Sequence, residues 1–379
     1  MKFNLNKEQQ MVQKTVREFA EKEIAPYAIE IDKSGEFPWE NVKKMARYGF
    51  LGMPIERRYG GAGADYVSYT IMIEELSRVC AATGVIAEAH VSLTAEPLAI
   101  FASESQKEKY LIPLAKGEKL GAFALTEANA GTDAGGLQTK AVLEGDSYLI
   151  NGNKMFITNA GVAEIYIIFA ITTPGIGTKG ISAFIVERDI PGFSVGQPED
   201  KMGIRASKTA ELILENIRVP KENLLGKTGE GFKIAMATLD GGRIGIGAQA
   251  LGIAQAALDA SIRYAKEREQ FGKPIASFQA IQWMIADMAT EIDAARLLVY
   301  RAAAMKDQGL RFSKESAMAK LFASKVSMSC ADKAIQIHGG YGYMRDYQVE
   351  RYLRDAKITE IYEGTSEVQR MVIAGSMLR

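Results

Sequence analysis

Near the end of the chain, in the stretch ITEIYEGTSEVQR from Ile358 to Arg370, one carboxylate, Glu363, stands beside Gly364 with Ile361 and Tyr362 before it. Apolar neighbours strip water from a carboxylate and raise its pKa. A carboxylate so treated can serve as a general base near neutral pH. Ser366 followed three residues on by Gln369 has the pattern of a capping box, which sets Glu363 just upstream of a final helix. Read alone, a glutamate in a loop is simply solvated. Other stretches must supply the case for chemistry.

Four do so together. LDGGRIGIG, from Leu239 to Gly247, sets Asp240 and Arg243 at the expected mouth of a long helix; the plain reading is a helix cap with an arginine nearby, the chemical one a surface for a ligand. TEANAGTDAGG, from Thr126 to Gly136, follows an expected strand, and its small residues allow backbone N–H groups close to an aromatic ring or a phosphate. REQFGKP, from Arg268 to Pro274, separates two helices; its plain reading is a helix stop with a buried Phe271. QIHGGYGYMRD, from Gln336 to Asp346, is a glycine-rich turn in which His338 alone reads as a hydrogen-bonded turn residue.

Other chemistries are disfavoured. The two cysteines, Cys80 and Cys330, lie far apart and read as small core residues, and with only two histidines no metal-ligand spacing arises. GIGTKG, from Gly175 to Gly180, matches a dinucleotide fingerprint, but the run after it, GISAFIVE, reads as a strand where a helix is required. It is expected to be a hairpin loop. The 46 basic and 46 acidic residues balance, so no basic stripe points to nucleic acid. No apolar run is long enough for a membrane span, and the N-terminus lacks the apolar core of a signal peptide. The expected location is the bacterial cytoplasm, or the mitochondrial matrix for a mature eukaryotic protein.

The elements that must hold these residues read in three blocks. Asn6 with Gln9 predicts a capped first helix, a second follows Pro38 and stops at Gly49, and YGGAGADYVSYTIMIEELSRV adds a third. From about residue 120 the period changes to short β-branched and aromatic runs, with Asn151-Gly152 expected as a hairpin turn between SYLI and KMFIT. After Gly226 long Gly- and Ala-rich helical patterns resume, including Phe278, Ile281, Ile285, Met288 and Ile292 at three- and four-residue spacings. Three long helices and a terminal one predict a four-helix bundle. The expected fold is multidomain α+β: an N-terminal helical domain over 1–118, a central barrel- or sandwich-like β domain over 119–226 and a C-terminal bundle over 227–379.

Seen together, AFALTEANAGTDAGG, FITNAG, KMGIRASKT, LDGGRIGIGAQALGIAQ, REQFGKP, QIHGGYGY and RDAKITEIYEGTSEVQRMVIA make the chain resemble the acyl-CoA dehydrogenase family over its full length, most of all the short-chain, butyryl-CoA type of bacteria. The resemblance implies the same three-part fold, bound FAD and a homotetramer built as a dimer of dimers. It implies that Phe123, Leu125, Thr126, Gly131, Thr132, Phe156, Ile157 and Thr158 lie along the flavin. Arg268, Phe271, Gln279, Gln336, Gly339 and Gly340 would hold the adenosine diphosphate part, some from a neighbouring subunit, with Thr365 and Glu367 meeting the cofactor at the final helix start. Leu239, Asp240, Arg243, Tyr362, Gly364 and again Thr132 would touch the acyl-CoA substrate. Two departures are Ala128, where many relatives have Pro, and Phe156, where longer-chain members carry Trp.

The reaction implied is α,β-desaturation of a short acyl-CoA thioester. Glu363 would take the α-proton and flavin N5 the β-hydride, with the Glu363 N–H and a flavin ribityl hydroxyl holding the thioester oxygen. Electrons would pass to an electron-transferring flavoprotein. Some relatives carry the base at the position of Gly242; glycine there and glutamate at 363 favour the short- and medium-chain arrangement. The alternatives are a medium- or branched-chain dehydrogenase, an oxidase, or a silent acyl-CoA-binding protein of the same fold. The run GVIAEAHVSLTAEP offers no ruler for chain length.

Overall fold

The computed structural model describes residues 4–378, so the outer ends of the expected first and third domains, Met1–Phe3 and Arg379, lie outside the described residues. The first block is helical. The Asn6 side chain accepts the Gln9 N–H and Gln9 reaches back, starting α1 (Lys7–Phe19) as the capping-box pattern predicts. Next come α2 (Ala28–Ser34) and α3 (Trp39–Arg47), the latter followed by left-handed Gly49. Asp65 caps α4 (Tyr66–Val79), and α5 (Ala81–His90) follows directly; both are buried along nearly their whole length. A π-helical turn, Val91–Ala95, leads into α6 (Glu96–Phe101), α7 (Glu104–Gln106) and α8 (Ile112–Ala115).

The middle block is one eight-stranded sheet. Its strands are β1 (Gly121–Ala124), β2 (Lys140–Glu144), β3 (Ser147–Thr158), β4 (Ile165–Ile171), β5 (Ile181–Glu187), β6 (Phe193–Val195), β7 (Thr209–Pro220) and β8 (Leu224–Leu225). Ladders run in the order β6-β7-β3-β2-β4-β5-β8, and β1 adds to β4 in parallel. The expected hairpin turn at Asn151-Gly152 does not exist. These residues lie inside β3, where the β3–β7 register shifts between Ile150 and Gly152. The turn falls earlier, at Gly145-Asp146, with Glu144 opposite Ser147. A β-bulge and a two-residue turn draw on the same residue types, so the dipeptide alone could not separate them. The GIGTKG segment does connect antiparallel β4 and β5 as a loop.

The last block holds α9 (Gly231–Glu267), the small hairpin β9 (Glu269–Gln270) and β10 (Lys273–Pro274), then α10 (Gln279–Asp307), α11 (Ser313–His338), α12 (Val349–Ile358) and α13 (Ser366–Met377). α9 is the spine of the molecule: it packs along α11 and α10 in its own block and along α4 of the first. It begins at Gly231, so Asp240 and Arg243 sit inside the helix and not at its mouth. Cys80 and Cys330 are both buried and free.

Candidate active site

The segment between α12 and α13 is held in a shape that no regular element would give it. Glu363 and Gly364 both have positive φ, +53° and +94°. For a residue with a Cβ that conformation costs roughly 1–2 kcal/mol. Lys320 from α11 offsets it by donating to the carbonyls of Thr359 and Gly364, at 2.9 and 2.8 Å. Gln369 Nε2 adds a bond to Gly364 O at 2.7 Å. The helix cap is Thr365, whose Oγ1 accepts the Val368 N–H at 3.3 Å; the expected Ser366 is already the first helical residue. The Tyr362 hydroxyl donates to Gln249 on α9, and Gln249 Nε2 donates to Ala81 O at 3.1 Å. The loop is thereby tied to α11, α13 and α9 at once.

The strained backbone sends the Glu363 side chain against α9 at Gly242. A Cβ on Gly242 would fall onto Glu363 Oε2 and lie 2.9 Å from Leu93 Cδ2 of the π-helical turn. Glu363 Oε2 is buried and has no hydrogen-bond partner. Position 242, where some relatives are expected to carry the base, and position 363 thus converge on one point in space. Arg243 lies beside it, buried, with Nη1 donating to Asp240 Oδ1 at 2.6 Å and Nε unpartnered. Ser313 holds the other Asp240 oxygen.

Burial pushes the Glu363 carboxyl up to about 7, against the pull of neighbouring Glu88, Lys320 and Arg243. Of the two neighbours expected to desolvate it, Tyr362 is half-buried against the core. Ile361 is 47% exposed and turns outward. Further cover comes from Gly242 and Leu93, more than a hundred residues upstream. Lys320, itself buried, is held down to about 8, again chiefly by burial.

The flavin-side residues of the resemblance gather around the end of β1. The π-helical turn bridges them to Glu363, since Leu93 meets Gly242 while Thr94 packs against Gly121 of β1. Phe123 and Thr126 are half-buried, Gly131 and Thr132 exposed, and Thr158 half-buried at the end of β3. Phe156 is 60% exposed and has φ +58°, so its ring stands out from the strand. Leu125 and Ile157 point the other way: both side chains are buried in the hydrophobic core, leaving only their backbone for a ligand. The loop is set by a buried ion pair absent from the expected site. Glu127 accepts from Lys154 Nζ at 2.7 Å, from Thr139 Oγ1 at 2.6 Å and from the Gln138 and Thr139 N–H groups. Lys154 also donates to Leu125 O at 3.2 Å. The signal for the pair was Lys154, a charged residue at an inward-facing position of β3.

A second group lies at the surface. Phe271 is 93% exposed, not buried, and with Gly272 forms the two-residue turn of the β9–β10 hairpin, both at positive φ. The Arg268 guanidinium lies 5.5 Å from the Tyr341 ring centre, which joins this hairpin to the glycine-rich turn after α11. Gln279, Gln336, Gly339, Gly340 and Glu367 are exposed, and Leu239, Tyr362 and Gly364 are half-buried.

Comparison with known proteins decides what carries this geometry. Models of the acyl-CoA dehydrogenase N-terminal, middle and C-terminal domains match residues 6–118, 122–217 and 229–378. The chain belongs to the acyl-CoA dehydrogenase family. It is 59% identical over 379 residues to the short-chain specific acyl-CoA dehydrogenase of Clostridium acetobutylicum, covering all of both chains. The butyryl-CoA dehydrogenase structure from Megasphaera elsdenii superposes with a TM-score of 0.99 at 51% identity over the full length of both. So does a chain in the structure described as the electron transferring flavoprotein of Acidaminococcus fermentans, with a TM-score of 0.99 at 55% identity over all of both chains. The acyl-CoA dehydrogenase fold expected from the sequence is the fold observed.

Proposed function

We propose that this acyl-CoA dehydrogenase desaturates short acyl-CoA thioesters between Cα and Cβ, butyryl-CoA to crotonyl-CoA, with Glu363 as the base, and that its electrons pass to an electron-transferring flavoprotein. The observation that carries the base assignment is the buried, unpartnered Oε2 of Glu363 seated on Gly242. The short-chain and butyryl-CoA names of the relatives support the chain length. The match to a chain in the Acidaminococcus structure described as an electron transferring flavoprotein supports the electron acceptor.

The chain fits FAD on its own geometry. The outstanding Phe156 ring offers a flat face, and beside Gly131, Gly339 and Gly340 no atom lies within 4 Å of where a Cβ would be, so backbone there is open to close approach. Phe123, Thr126, Gly131, Thr132, Phe156 and Thr158 would hold the ring system. The exposed Arg268, Phe271, Gln279, Gln336, Gly339 and Gly340 would hold the adenosine end of a cofactor shared with another copy in a tetramer. Bound FAD supplies the acceptor for the hydride that leaves Cβ.

The protein residues do the rest. Lys320 and Gln369 fix the carbonyls of the base loop, so Glu363 meets the α-carbon without reorganising. Glu363 as a residue is half-buried, but its Oε2 is buried, which keeps it basic enough to take the α-proton on that oxygen. The Glu363 N–H would donate to the thioester oxygen as charge develops there. Among the described residues no helix is long and apolar enough to cross a membrane. The test is the Glu363→Gln variant, mixed anaerobically with butyryl-CoA. It should retain yellow flavin and bind the thioester while losing rapid bleaching by about 10²–10⁴-fold or more. Bleaching at the wild-type rate would sink the assignment.

A further inference from the structure

One buried carboxyl is left unused by this mechanism. Glu88, on α5, is 0% exposed. It lies against α9 at Gly245, where a Cβ would come within 2.6 Å of Glu88 Oε1, just as one on Gly242 would meet Glu363. Those two glycines are three residues apart on one helix, a rise of about 4.5 Å. Ser92 Oγ donates to Glu88 Oε1. Oε2 of Glu88 is buried without a partner, as is Oε2 of Glu363. The Tyr69 hydroxyl, likewise buried and unpartnered, would lie 3.0 Å from the same Cβ on Gly245. A bare helix face thus gathers two carboxyls with free oxygens.

We propose that Glu88 is the proton-holding partner of the base: packed on the same face of α9, it stays a neutral carboxylic acid and offers its O–H to the Glu363 carboxylate. This rests on the reading of Glu363 as the base. Two carboxyls in such proximity do not both ionise, and the surrounding charges decide which keeps the proton. Glu363 faces two cations, Lys320 of α11 and Arg243 of α9, the latter shared with Asp240. Glu88 has no cation bonded to it among the described residues. It faces Glu96 of α6, Tyr66 and Tyr69 of α4, and Tyr362 of the base loop. Glu96 is already matched by Lys306 of α10 and by the Tyr66 hydroxyl. His90, two residues along α5, is committed elsewhere, to Leu114 O and the Gly121 N–H. Burial first, then the charge of Glu363, hold Glu88 well above the usual carboxylate range. A neutral Glu88 has one O–H to give, and donation to an ionised neighbour favours the ionised form. Glu88 is therefore a positioning residue that acts through Glu363.

Two substitutions separate this role from simple packing. Glu88→Gln keeps a donor of the same shape, whereas Glu88→Leu fills the space without one. The flavin bleaching rate with butyryl-CoA is followed against pH in the holoenzyme. The acid limb should move up by about one pH unit in Glu88→Leu and stay in place in Glu88→Gln. Infrared difference spectra supply a readout independent of turnover: a deuterium-sensitive band of a buried neutral carboxyl, present at neutral pH in Glu363→Gln and lost when Glu88→Gln is added. A Glu88→Leu profile superimposable on wild type, or a band that survives Glu88→Gln, overturns the proposal. If Glu88→Leu does not fold, the infrared pair decides. Rapid bleaching by Glu363→Gln would instead overturn the base assignment, an outcome the infrared band does not depend on.

Discussion

Glu363 should leave a mark on stability as well as on turnover. Its carboxyl is raised in the folded protein, from about 4.5 to about 7, mainly by burial. Between those values the folded state binds more protons than the unfolded one, so stability falls as pH rises through the window. Glu363→Gln cannot ionise. Its unfolding temperature should match wild type near pH 4 and exceed it at pH 8, by up to about 3 kcal/mol of stability. Differential scanning calorimetry at both values checks this; an equal difference at the two would show that Glu363 is not desolvated. The sequence pointed to this residue through its glycine and its place before a helix, but the expected cover was local, from Ile361 and Tyr362, and Ile361 turns outward while Tyr362 is half-buried against the core. Leu93 and Gly242 reach it only through the fold. Glu88 and Lys320 were missed for a related reason: Glu88 is a lone carboxylate in the small-residue helix α5 and Lys320 one of several charges along α11, and either looks like a solvated position until the packing is known.

At the scale of elements, α9 is the floor on which the site is laid, and Gly242 is its most demanding position. Gly242→Ala should fold, because the group in the way is the far end of a flexible side chain. It should nonetheless displace the base, with kcat for butyryl-CoA falling about 10²-fold for a shift of the order of an ångström. Steady-state rates beside a thermal melt separate the two effects, and an unchanged kcat would show that the carboxyl does not rest there. Lys320→Met tests the clamp. It leaves the Thr359 and Gly364 carbonyls short of a charged donor, at a cost of about 1–3 kcal/mol, read as a lower urea midpoint together with slower bleaching. Most element types were legible from periodicity and capping, as α1 and its Asn6–Gln9 box illustrate. Boundaries were less so. Asn151-Gly152 has the chemistry of a turn yet lies inside β3, and Ser366 has the chemistry of the cap that Thr365 supplies. In each case neighbouring residues had the same local chemistry, and long-range pairing chose between them.

For the whole molecule, the half of the site built around Glu363 is enclosed within one chain, while the half around Phe271 faces outward. Phe271 is 93% exposed at a positive φ, and Tyr343, within the glycine-rich turn after α11, is 81% exposed. An aromatic ring displayed at a hairpin tip is a poor solvent surface and a good anchor. On the proposed tetramer, Phe271→Asp should sediment as a smaller species and lose FAD on gel filtration, with its far-ultraviolet spectrum kept. Unchanged sedimentation and flavin content would remove Phe271 from any shared site. The sequence motif was visible here, but the expectation of a buried ring was not correct, because a single chain offers nothing to bury it.

The glycines of α9 carry one more consequence. Gly241, Gly242, Gly245, Gly247 and Gly252 all lie within its interior, and several give way to side chains pressed against the helix. Each weakens the helix by about 1 kcal/mol relative to alanine. The longest helix of the protein is therefore among the least able to stand on its own. Its stability rests on α4 and α11 packed against it, so the surface that carries Glu363 and Glu88 keeps its shape only within the folded chain.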